Sequence, residues 1–432
     1  MSKNRKIIAC ILFLSVSLPA FSQGTPITMQ KGKGTEKSPY ILESKAQLSC
    51  LATQVNDGNA FEGIYFALGN DIDFQSSTQK NWIPIGTESS PFKGIFDGRN
   101  FTLSGLDIDN ASLDCAGLFG YVYMGKVENI RIVNSSFSAN KYVGAVVGYL
   151  MGGEVSNCYN EAAVSGQENV GGVVGYAHSS QINLCVNLGT IAGKLHVGGI
   201  LGAGYGNIML SNSYNRSDIS GYQYVGGVAG KIEGTTKKAT VKNCYQEKMS
   251  CKIGVLGATT LTNVENCFFA DIPGIGNFSE GTKISCNEMK SSAFASKLNQ
   301  GDNLWGKDPK LLVNSGYPIL KSIVYKGIIT HEATEITYSD VTLSGSILPD
   351  VKEKITRKGF EVWEEGGTDT MQFFVLTNPL YYSINKLKPF QLYNFRVIVL
   401  TPTQTLYGEV QQFHTLPAPH NCGTDCTHPH KH

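Results

Sequence analysis

Hydrophobic residues in the middle of the chain form short runs that Asn, Ser and Gly separate. The stretch 169–202, NVGGVVGYAHSSQINLCVNLGTIAGKLHVGGILG, contains the runs QINLC, GTIAG and HVGGILG. Their Val and Ile residues, and the lack of apolar residues at i, i+3 and i+4, favour strands over helices. The pattern therefore predicts three short strands in each unit of this kind.

The glycine that closes the last run recurs at a nearly constant interval. Its positions are Gly120, Gly148, Gly175, Gly202, Gly230 and Gly257, with spacings of 28, 27, 27, 28 and 27 residues. An apolar column (Phe137, Val164, Ile191 and Ile219) and a softer column of Asn-Cys-Tyr type keep the same period. Because several columns of residues share one period, the sequence contains a structural repeat.

Three strands per period without a hairpin dipeptide indicate a coil in which each strand pairs with its equivalent one turn later. The predicted fold class is all-β: a parallel β-helix of about eight coils, each of about 27 residues, followed by a β-sandwich. Equivalent side chains then stack about 4.8 Å apart. Glycine is expected where the backbone bends tightly or packs against itself.

Two helical segments are predicted to cap the open ends of the coil stack, where unpaired strand edges need cover. Ser44 and Gln47 form a capping box, which apolar residues at helical spacing follow up to a stop at Gly58. At the far end, 287–300 indicates a second helix, and Trp305 with 316–320 supplies apolar residues to seal the last coil.

The repeats resemble the GLUG-motif family of exported bacterial proteins, whose units contain an Asn-Cys-Tyr strand, a Val-Ser-Gly strand and a V-G-G-hydrophobic-hydrophobic-G phrase. The lead-in motifs Ser38–Tyr40, Asn70–Asp73, Trp82–Gly86 and Phe92–Gly98, and the closing motif Asn314–Leu320, also match. The resemblance covers about residues 36–321. It implies a right-handed β-helix on an exported bacterial protein.

Residues 322–417 have a different pattern, with less glycine and longer alternating strands. In 393–399, Tyr393, Phe395, Val397 and Val399 alternate with polar residues, as in a strand with one buried face. Leu387-Lys388-Pro389 before Tyr393 resembles the corner of fibronectin type III domains, which are sandwiches of about this length. The predicted organisation is a signal peptide (1–22), the β-helix with its caps (36–321), the fibronectin-like sandwich (322–417) and a Cys/His-rich tail (418–432).

The first 22 residues predict export: a basic start, an apolar run and the cleavage site Ala20-Phe21-Ser22. Cleavage turns 36 basic and 35 acidic residues into 33 and 35, a net charge of about −2. This balance argues against a nucleic-acid partner. No later apolar run reaches the roughly 18 residues of a membrane span. We expect the cell surface or the extracellular space, with the periplasm as an alternative.

The tail contains the densest group of metal-ligand residue types in the chain. Its candidate ligands are Cys422, Cys426, His428, His430 and His432. Thiolate and imidazole suit Zn²⁺ or Cu, so the tail is the predicted metal site. A disulfide between Cys422 and Cys426 is the alternative.

The repeat also contains cysteines that occupy one place in the coil: Cys158, Cys185, Cys244 and Cys267. They are expected to be buried thiols, although neighbouring coils are close enough for a disulfide bridge.

Catalytic motifs are weak. His331-Glu332-Ala333-Thr334-Glu335 lacks the second His of H-E-x-x-H and lies among strand signals. Gly199–Gly206 belongs to the repeat rather than to a phosphate-binding loop. The acidic group Asp71, Asp73, Asp97, Asp107 and Asp109 is more typical of turns than of a catalytic site. The chain is therefore predicted to be no enzyme.

Aromatic residues provide a binding hypothesis instead, and tyrosine ladders that only pack at the coil corners are the alternative. Tyr121, Tyr149 and Tyr176 follow successive closing glycines, and Tyr142, Asn169, His196 and Tyr224 precede the glycine phrase. We expect a surface or secreted protein that binds glycan or host and matrix proteins through a repetitive β-helix face. A carbohydrate-active enzyme and a purely structural surface protein remain the alternatives.

Overall fold

The computed structural model describes residues 31–418 except for 75–80, 237, 248–253, 272–279, 309–313, 324–327, 348–353, 368, 378–379, 403–404 and 409. The chain is all-β, with a parallel β-helix followed by a sandwich of antiparallel strands. The β-helix has about seven turns rather than the eight expected.

Each coil passes through four parallel sheets, named faces I to IV in the order in which the chain meets them. Face I has nine strands: Tyr40–Leu42, Tyr65–Leu68, Ile95–Asp97, Lys126–Glu128, Glu154–Ser156, Gln181–Asn183, Met209–Ser211, Ala239–Lys242 and Thr262–Glu265. Face II has nine: Ile72–Asp73, Thr102–Ser104, Arg131–Val133, Tyr159–Asn160, Val186–Asn187, Tyr214–Asn215, Tyr245–Gln246, Phe268–Ala270 and Thr282–Ile284. Face III has eight: Asp107–Ala116, Ser136–Gly144, Ala163–Ser165, Glu168–Gly171, Ile191–Ala192, Leu195–Gly198, Ile219–Ser220 and Gln223–Gly226. Face IV has six: Phe119–Tyr123, Val147–Met151, Val174–His178, Leu201–Tyr205, Ala229–Glu233 and Leu256–Thr260.

The sequence predicts three strands per period, but the structure has five, because short corners interrupt the apolar runs. QINLC is divided at Leu184, which adopts a φ of 57° between faces I and II. The same corner carries left-handed asparagines at Asn129, Asn157, Asn212, Asn243 and Asn266. Asn tolerates this conformation better than most residues, so the corner explains the Asn of the Asn-Cys-Tyr register.

The repeated V-G-G-hydrophobic-hydrophobic-G motif forms the sharp turn from face III to face IV, which is termed the arch. A Cβ on Gly171 would lie 2.1 Å from the carbonyl oxygen of Val174, and one on Gly175 would lie 2.5 Å from the backbone of Tyr142. Both contacts are with backbone atoms that have no room to move. Glycine therefore recurs because two strands of successive faces pack backbone against backbone.

The interior combines apolar columns with a ladder of amides. Asn160, Asn187, Asn215 and Gln246 are fully buried at equivalent places on face II. Each Nδ2 donates to the side-chain oxygen one coil further on, at 2.7, 2.6 and 2.6 Å. The asparagines also donate to the carbonyl oxygen two residues ahead, as Asn187 does to Gly189 at 2.9 Å. The ladder thus satisfies buried polar groups that would otherwise be costly.

The repeat cysteines are buried free thiols, as expected from their place in the coil. Cys158, Cys185 and Cys244 have no exposed surface, and Cys267 has 2%. Each Sγ lies within 3.2 to 3.3 Å of the carbonyl oxygen two residues earlier. The thiols act as small apolar core residues.

Helices cap both ends of the β-helix. Helix α1 (Lys45–Asn56) begins at Ser44, whose hydroxyl accepts from the Gln47 amide, and it buries one apolar side against the first coil. The far cap is two helices rather than the single one expected, α2 (Cys286–Met289) and α3 (Ser292–Asn299), because the Ser291 side chain accepts from the Phe294 amide and starts a new helix. The strands Trp305–Gly306 and Ile319–Leu320 pair beside them, with Trp305 buried as expected.

The sandwich consists of two antiparallel sheets. One contains Ile328–Thr330, Val341–Ile347 and Leu380–Ile384, and the other contains Arg357–Glu364, Thr370–Phe374, Leu392–Leu400, Thr405–Tyr407 and Gln411–His414. The alternation predicted for 393–399 is observed, since Tyr393, Phe395, Val397 and Val399 are all buried in its core. The Tyr393 hydroxyl accepts from the Lys388 amide at 3.0 Å, which is the corner contact of fibronectin-type sandwiches.

Candidate functional site

The outer side of face IV and its adjoining corner carry most of the aromatic residues predicted to form a ladder. At this corner Cys115, Tyr142, Asn169, His196 and Tyr224 all adopt left-handed φ values between 54° and 62°. Their backbone lies directly over the glycine column of face IV. The arch therefore directs this column of side chains onto the outer surface of face IV.

In the first coils the tyrosines cover one another. Tyr121 stacks on Tyr149 at 4.5 Å with nearly parallel rings, and Tyr149 lies 4.8 Å from Tyr176. Tyr142 of the corner packs edge-on against Tyr149 and Tyr176, at 5.2 and 5.5 Å. Only 8% of Tyr121 is exposed, and burial raises the pKa of Tyr176 to about 12. This part of the predicted ladder mainly stabilises the coil stack.

Further along the axis the aromatic residues are open to solvent. Tyr224 is 38% exposed and stacks on His196 at 5.3 Å. Tyr205, 42% exposed, stacks on His178 at 5.5 Å, and Tyr222 is 90% exposed. These five residues are termed the aromatic patch. Large exposed rings on successive coils suit recognition, because they offer a rigid apolar surface with a polar edge.

The sequence interpretation found Tyr224 and His196 but missed the other three residues of the aromatic patch. His178 and Tyr205 are 27 residues apart and directly paired on face IV, so the repeat period alone was sufficient to align them. Tyr222 lies just before a corner of the coil. Its exposure depends on the turn and carries no signal of its own in the sequence.

Charged residues border the aromatic patch. Lys231 lies 5.7 Å from the Tyr224 ring centre and pairs with Glu233 at 2.9 Å. Burial and the Lys231 charge lower the pKa of His196, whose Nδ1 is 2.9 Å from the Asn169 amide oxygen. His196 is therefore held neutral at neutral pH, and the stacked pair presents hydrogen-bonding groups rather than a positive charge.

Most of the residues considered for catalysis make contacts within the fold. His331 lies outside any helix, and its Nε2 is 2.9 Å from the Ser346 hydroxyl. Asp71, Asp73 and Asp97 accept hydrogen bonds from Thr102, Ser104 and Arg99 on neighbouring strands and turns. Gly199–Gly206 forms the face IV strand Leu201–Tyr205, and no helix follows it. Asp71, Asp73, Asp97 and the strand Leu201–Tyr205 thus take part in contacts within the β-helix.

A groove of about 1150 Å³ lies between the β-helix and the sandwich. Asp107, Glu161, Asp218 and Glu332 line it together with Lys45, Arg216 and His331. Two of these charges are already paired, Arg216 with Glu247 at 3.0 Å and Glu161 with Arg131 at 3.5 Å. Glu161 is two coils from both Asp107 and Asp218, or roughly 10 Å at the usual strand spacing, and Asp107 and Asp218 are four coils apart.

The predicted metal site, Cys422, Cys426, His428, His430 and His432, lies outside the described residues. Within the part of the chain that the structure describes, no group of three or more His, Cys, Asp or Glu residues is placed to hold a metal ion. The tail therefore remains a predicted Zn or Cu site.

Comparison with known families identifies residues 139–165 as a match to the GLUG motif. This segment runs from one face III strand to the next and spans one period of the repeat. The chain therefore carries GLUG-type repeats. The corner, the buried amides and the glycine arch described above account for the residues that define the repeat.

Two curated relatives each match about a third of this chain. Halomucin of Haloquadratum walsbyi is 32% identical over 154 residues, which are 33% of this chain and 2% of that protein. A putative Gly-rich membrane protein of Evansella cellulosilytica is 27% identical over 147 residues, or 32% of this chain and 16% of that protein. The chain thus spans only a small part of the length of these relatives. Both relatives are GLUG-type proteins.

Solved structures match about a fifth of the chain. The sensor domain of the anti-sigma factor RsgI4 from Pseudobacteroides cellulosolvens is 22% identical, with 21% of this chain and 93% of that chain covered and a TM-score of 0.17. A fibronectin type III domain of human fibronectin type III domain containing protein 3 is 20% identical, with 21% of this chain and 85% of that chain covered and a TM-score of 0.18.

Among the described residues, no helix is long and apolar enough to cross a membrane.

Proposed function

We propose that the protein is a non-enzymatic binding protein of the cell surface or extracellular space, and that its aromatic patch contacts glycan or protein ligands. The observation that carries this proposal is the exposure of Tyr205, Tyr222 and Tyr224 on successive coils of a rigid stack. Stacked histidines hold two of the rings in place. A preformed surface of this kind loses little conformational entropy on binding.

Several features support binding rather than catalysis. Asp71, Asp73 and Asp97 of the entry coils accept hydrogen bonds from neighbouring strands and turns, and the groove carboxylates are spread over several coils. The relatives are a mucin-like and a membrane protein by name. A purely structural role explains the tyrosines that cover one another, but it does not explain why the tyrosines of the aromatic patch are exposed.

The exported chain lacking residues 1–22 is tested on an array of glycans and host or matrix proteins, together with a polysaccharide degradation assay. We expect specific capture without product release. The variant Y205A/Y222A/Y224A should lose at least about tenfold in affinity, because large aromatic residues dominate binding surfaces.

The matched control is Tyr381→Ala, a tyrosine on the sandwich that is 48% exposed. It should retain the wild-type affinity. New reducing ends or unsaturated sugars would establish an enzyme instead. Equal affinity of the triple variant and the wild type would remove the aromatic patch from the proposal, and absence of any capture would favour a structural protein.

A further inference from the structure

The groove between the β-helix and the sandwich runs along the axis of the coil stack. Its β-helix side consists of equivalent segments of five successive coils: 105–107, 134–136, 161–163, 188–190 and 216–218. At about 4.8 Å per coil, this row is roughly 19 Å long. Helix α1 lies at one end, and the sandwich residues 329–332 and 410–412 lie at the other. The groove therefore has the dimensions of a site for an extended chain.

Small side chains keep the floor of this groove open. Ser136, Ala163 and Thr190 are exposed and follow one another in the face III register. Asp107 and Asp218 continue the same column at its two ends. A bulky residue at any of the three middle positions would fill the floor, so the groove depends on their size.

The polar groups of the groove suit a ligand rich in hydroxyl groups. Hydroxyl and amide side chains predominate among the uncharged polar lining residues. The lining carboxylates Asp107, Glu161, Asp218 and Glu332 outnumber the cations Lys45 and Arg216, and the resulting negative potential disfavours anionic ligands. Exposed Ile83 and Val410 at the margins add apolar surface for the faces of sugar rings.

The strand arrangement of the coils argues against a peptide that binds in the groove as an added strand. Strands of the inner coils pair with both neighbouring coils, so the wall of the β-helix has no free edge along the groove. The coil strands also cross the groove instead of running along it. A peptide lying in the groove could not extend these sheets, which is the usual way in which β-proteins bind extended peptides.

We propose that this groove is a second binding site, separate from the aromatic patch, for a neutral polysaccharide chain. The sandwich forms one end of the site and limits how far the chain extends. Hydroxyl and carboxylate groups of the floor bind the sugar hydroxyls, and the lining carboxylates Asp107, Glu161, Asp218 and Glu332 exclude polyuronates. The site is independent of the proposed role of Tyr205, Tyr222 and Tyr224, none of which lines the groove.

The test uses the exported chain and titrates it with soluble β-glucan, xylan and mannan, and with polygalacturonate as the acidic counterpart. We expect at least one neutral polysaccharide to bind and polygalacturonate to bind at least about tenfold more weakly. Thr190→Trp and, in a separate protein, Ser136→Trp should each weaken neutral binding by about tenfold or more. Two positions are used so that a folding defect in one variant leaves the other informative.

Gln181→Trp is the matched control, because residue 181 is exposed on a face I strand at the same level of the β-helix. It should bind like the wild type, and so should Y205A/Y222A/Y224A. Binding that Thr190→Trp and Ser136→Trp leave unchanged would overturn the proposal, as would binding of polygalacturonate or extended peptides alone, or of no neutral polysaccharide. Loss of neutral binding in the aromatic triple variant alone would assign the glycan to the aromatic patch.

Discussion

The β-helix and the sandwich bury apolar columns between sheets, but their residues find partners in different ways. In the β-helix, Asn187 contacts Asn160 and Asn215, which are its own equivalents in the coils before and after it. In the sandwich, Glu361 pairs with Arg396, a different residue 35 positions away. A repeat thus stabilises itself through a series of similar interfaces, whereas the sandwich depends on contacts that occur once.

This difference leads us to expect that substitutions in one region leave the other folded. A glycine or an asparagine of the repeat should change the unfolding of the β-helix only. A corner residue of the sandwich should change the unfolding of the sandwich only. Loss of both regions in one step after any single substitution would show that they form one cooperative unit.

The largest effect is expected for Gly175→Ala. The new Cβ would lie 2.5 Å from backbone atoms of Tyr142 and Val143, so the arch has to open. We expect a loss of about 3 kcal/mol in the free energy of unfolding of the β-helix, measured by urea denaturation. Gly306→Ala is the control, since its closest neighbour is the flexible Lys321 side chain, and it should cost less than about 1 kcal/mol.

The second largest effect is expected for Asn187→Ala. The substitution removes hydrogen bonds to Asn160, Gly189 and Asn215 and leaves buried polar groups without partners. We expect a loss of about 2 kcal/mol, measured in the same way. Asn263→Ala, on an exposed position of face I, should be nearly neutral. A cost for Asn187→Ala as small as that of the control would show that the ladder contributes no net stability.

A smaller effect is expected for Tyr393→Phe in the sandwich. It removes the hydroxyl that accepts from the Lys388 amide and keeps the ring in the core. We expect the free energy of unfolding of the sandwich to fall by about 1 kcal/mol while the β-helix keeps its own value. Tyr381→Phe, on an exposed tyrosine, should change neither. A shift of the β-helix transition would contradict the independence of the two regions.

The smallest effect concerns alkaline pH. Burial, followed by the charge of Asp114, raises the pKa of Cys115 from 9.0 to about 12, and burial raises the pKa values of Cys158 and Cys244 well above 9.0. Between about pH 9 and 12 the unfolded chain releases these protons while the folded chain keeps them. Stability of the β-helix should therefore fall as the pH rises through this range.

Urea midpoints of the β-helix at pH 8 and pH 10.5 measure this dependence. The variant C158A/C244A should show a flatter dependence, since it lacks two of the buried thiols. At pH 8 the folded protein should leave the four repeat cysteines unalkylated by iodoacetamide, as judged by mass spectrometry. Rapid alkylation of Cys158 in the folded protein would contradict its burial.

Much of the fold could be predicted from the sequence, because equivalent residues of successive repeats can be aligned with one another. The 27-residue period aligned the closing glycines, the apolar column and the cysteines, and all of them lie at equivalent places in the coils. The Asn160, Asn187 and Asn215 ladder keeps the same period, and the period would have revealed it too. The sandwich was recognised from one alternating strand and the corner before Tyr393, because its other strands lack a repeated pattern.

The sequence by itself determined the coil, its period, the capping helix after Ser44 and the buried state of the thiols, since each of these depends on neighbours that the period or local spacing defines. Tertiary structure alone decided which aromatic residues are exposed. Tyr121 and Tyr205 both lie on the outer side of face IV, yet neighbouring rings cover the first and leave the second open. It also decided the groove, because its floor comes from five coils and its end from a domain more than a hundred residues further along the chain. Exposure and concavity are properties of surfaces brought together in space, and no spacing along a single chain encodes them.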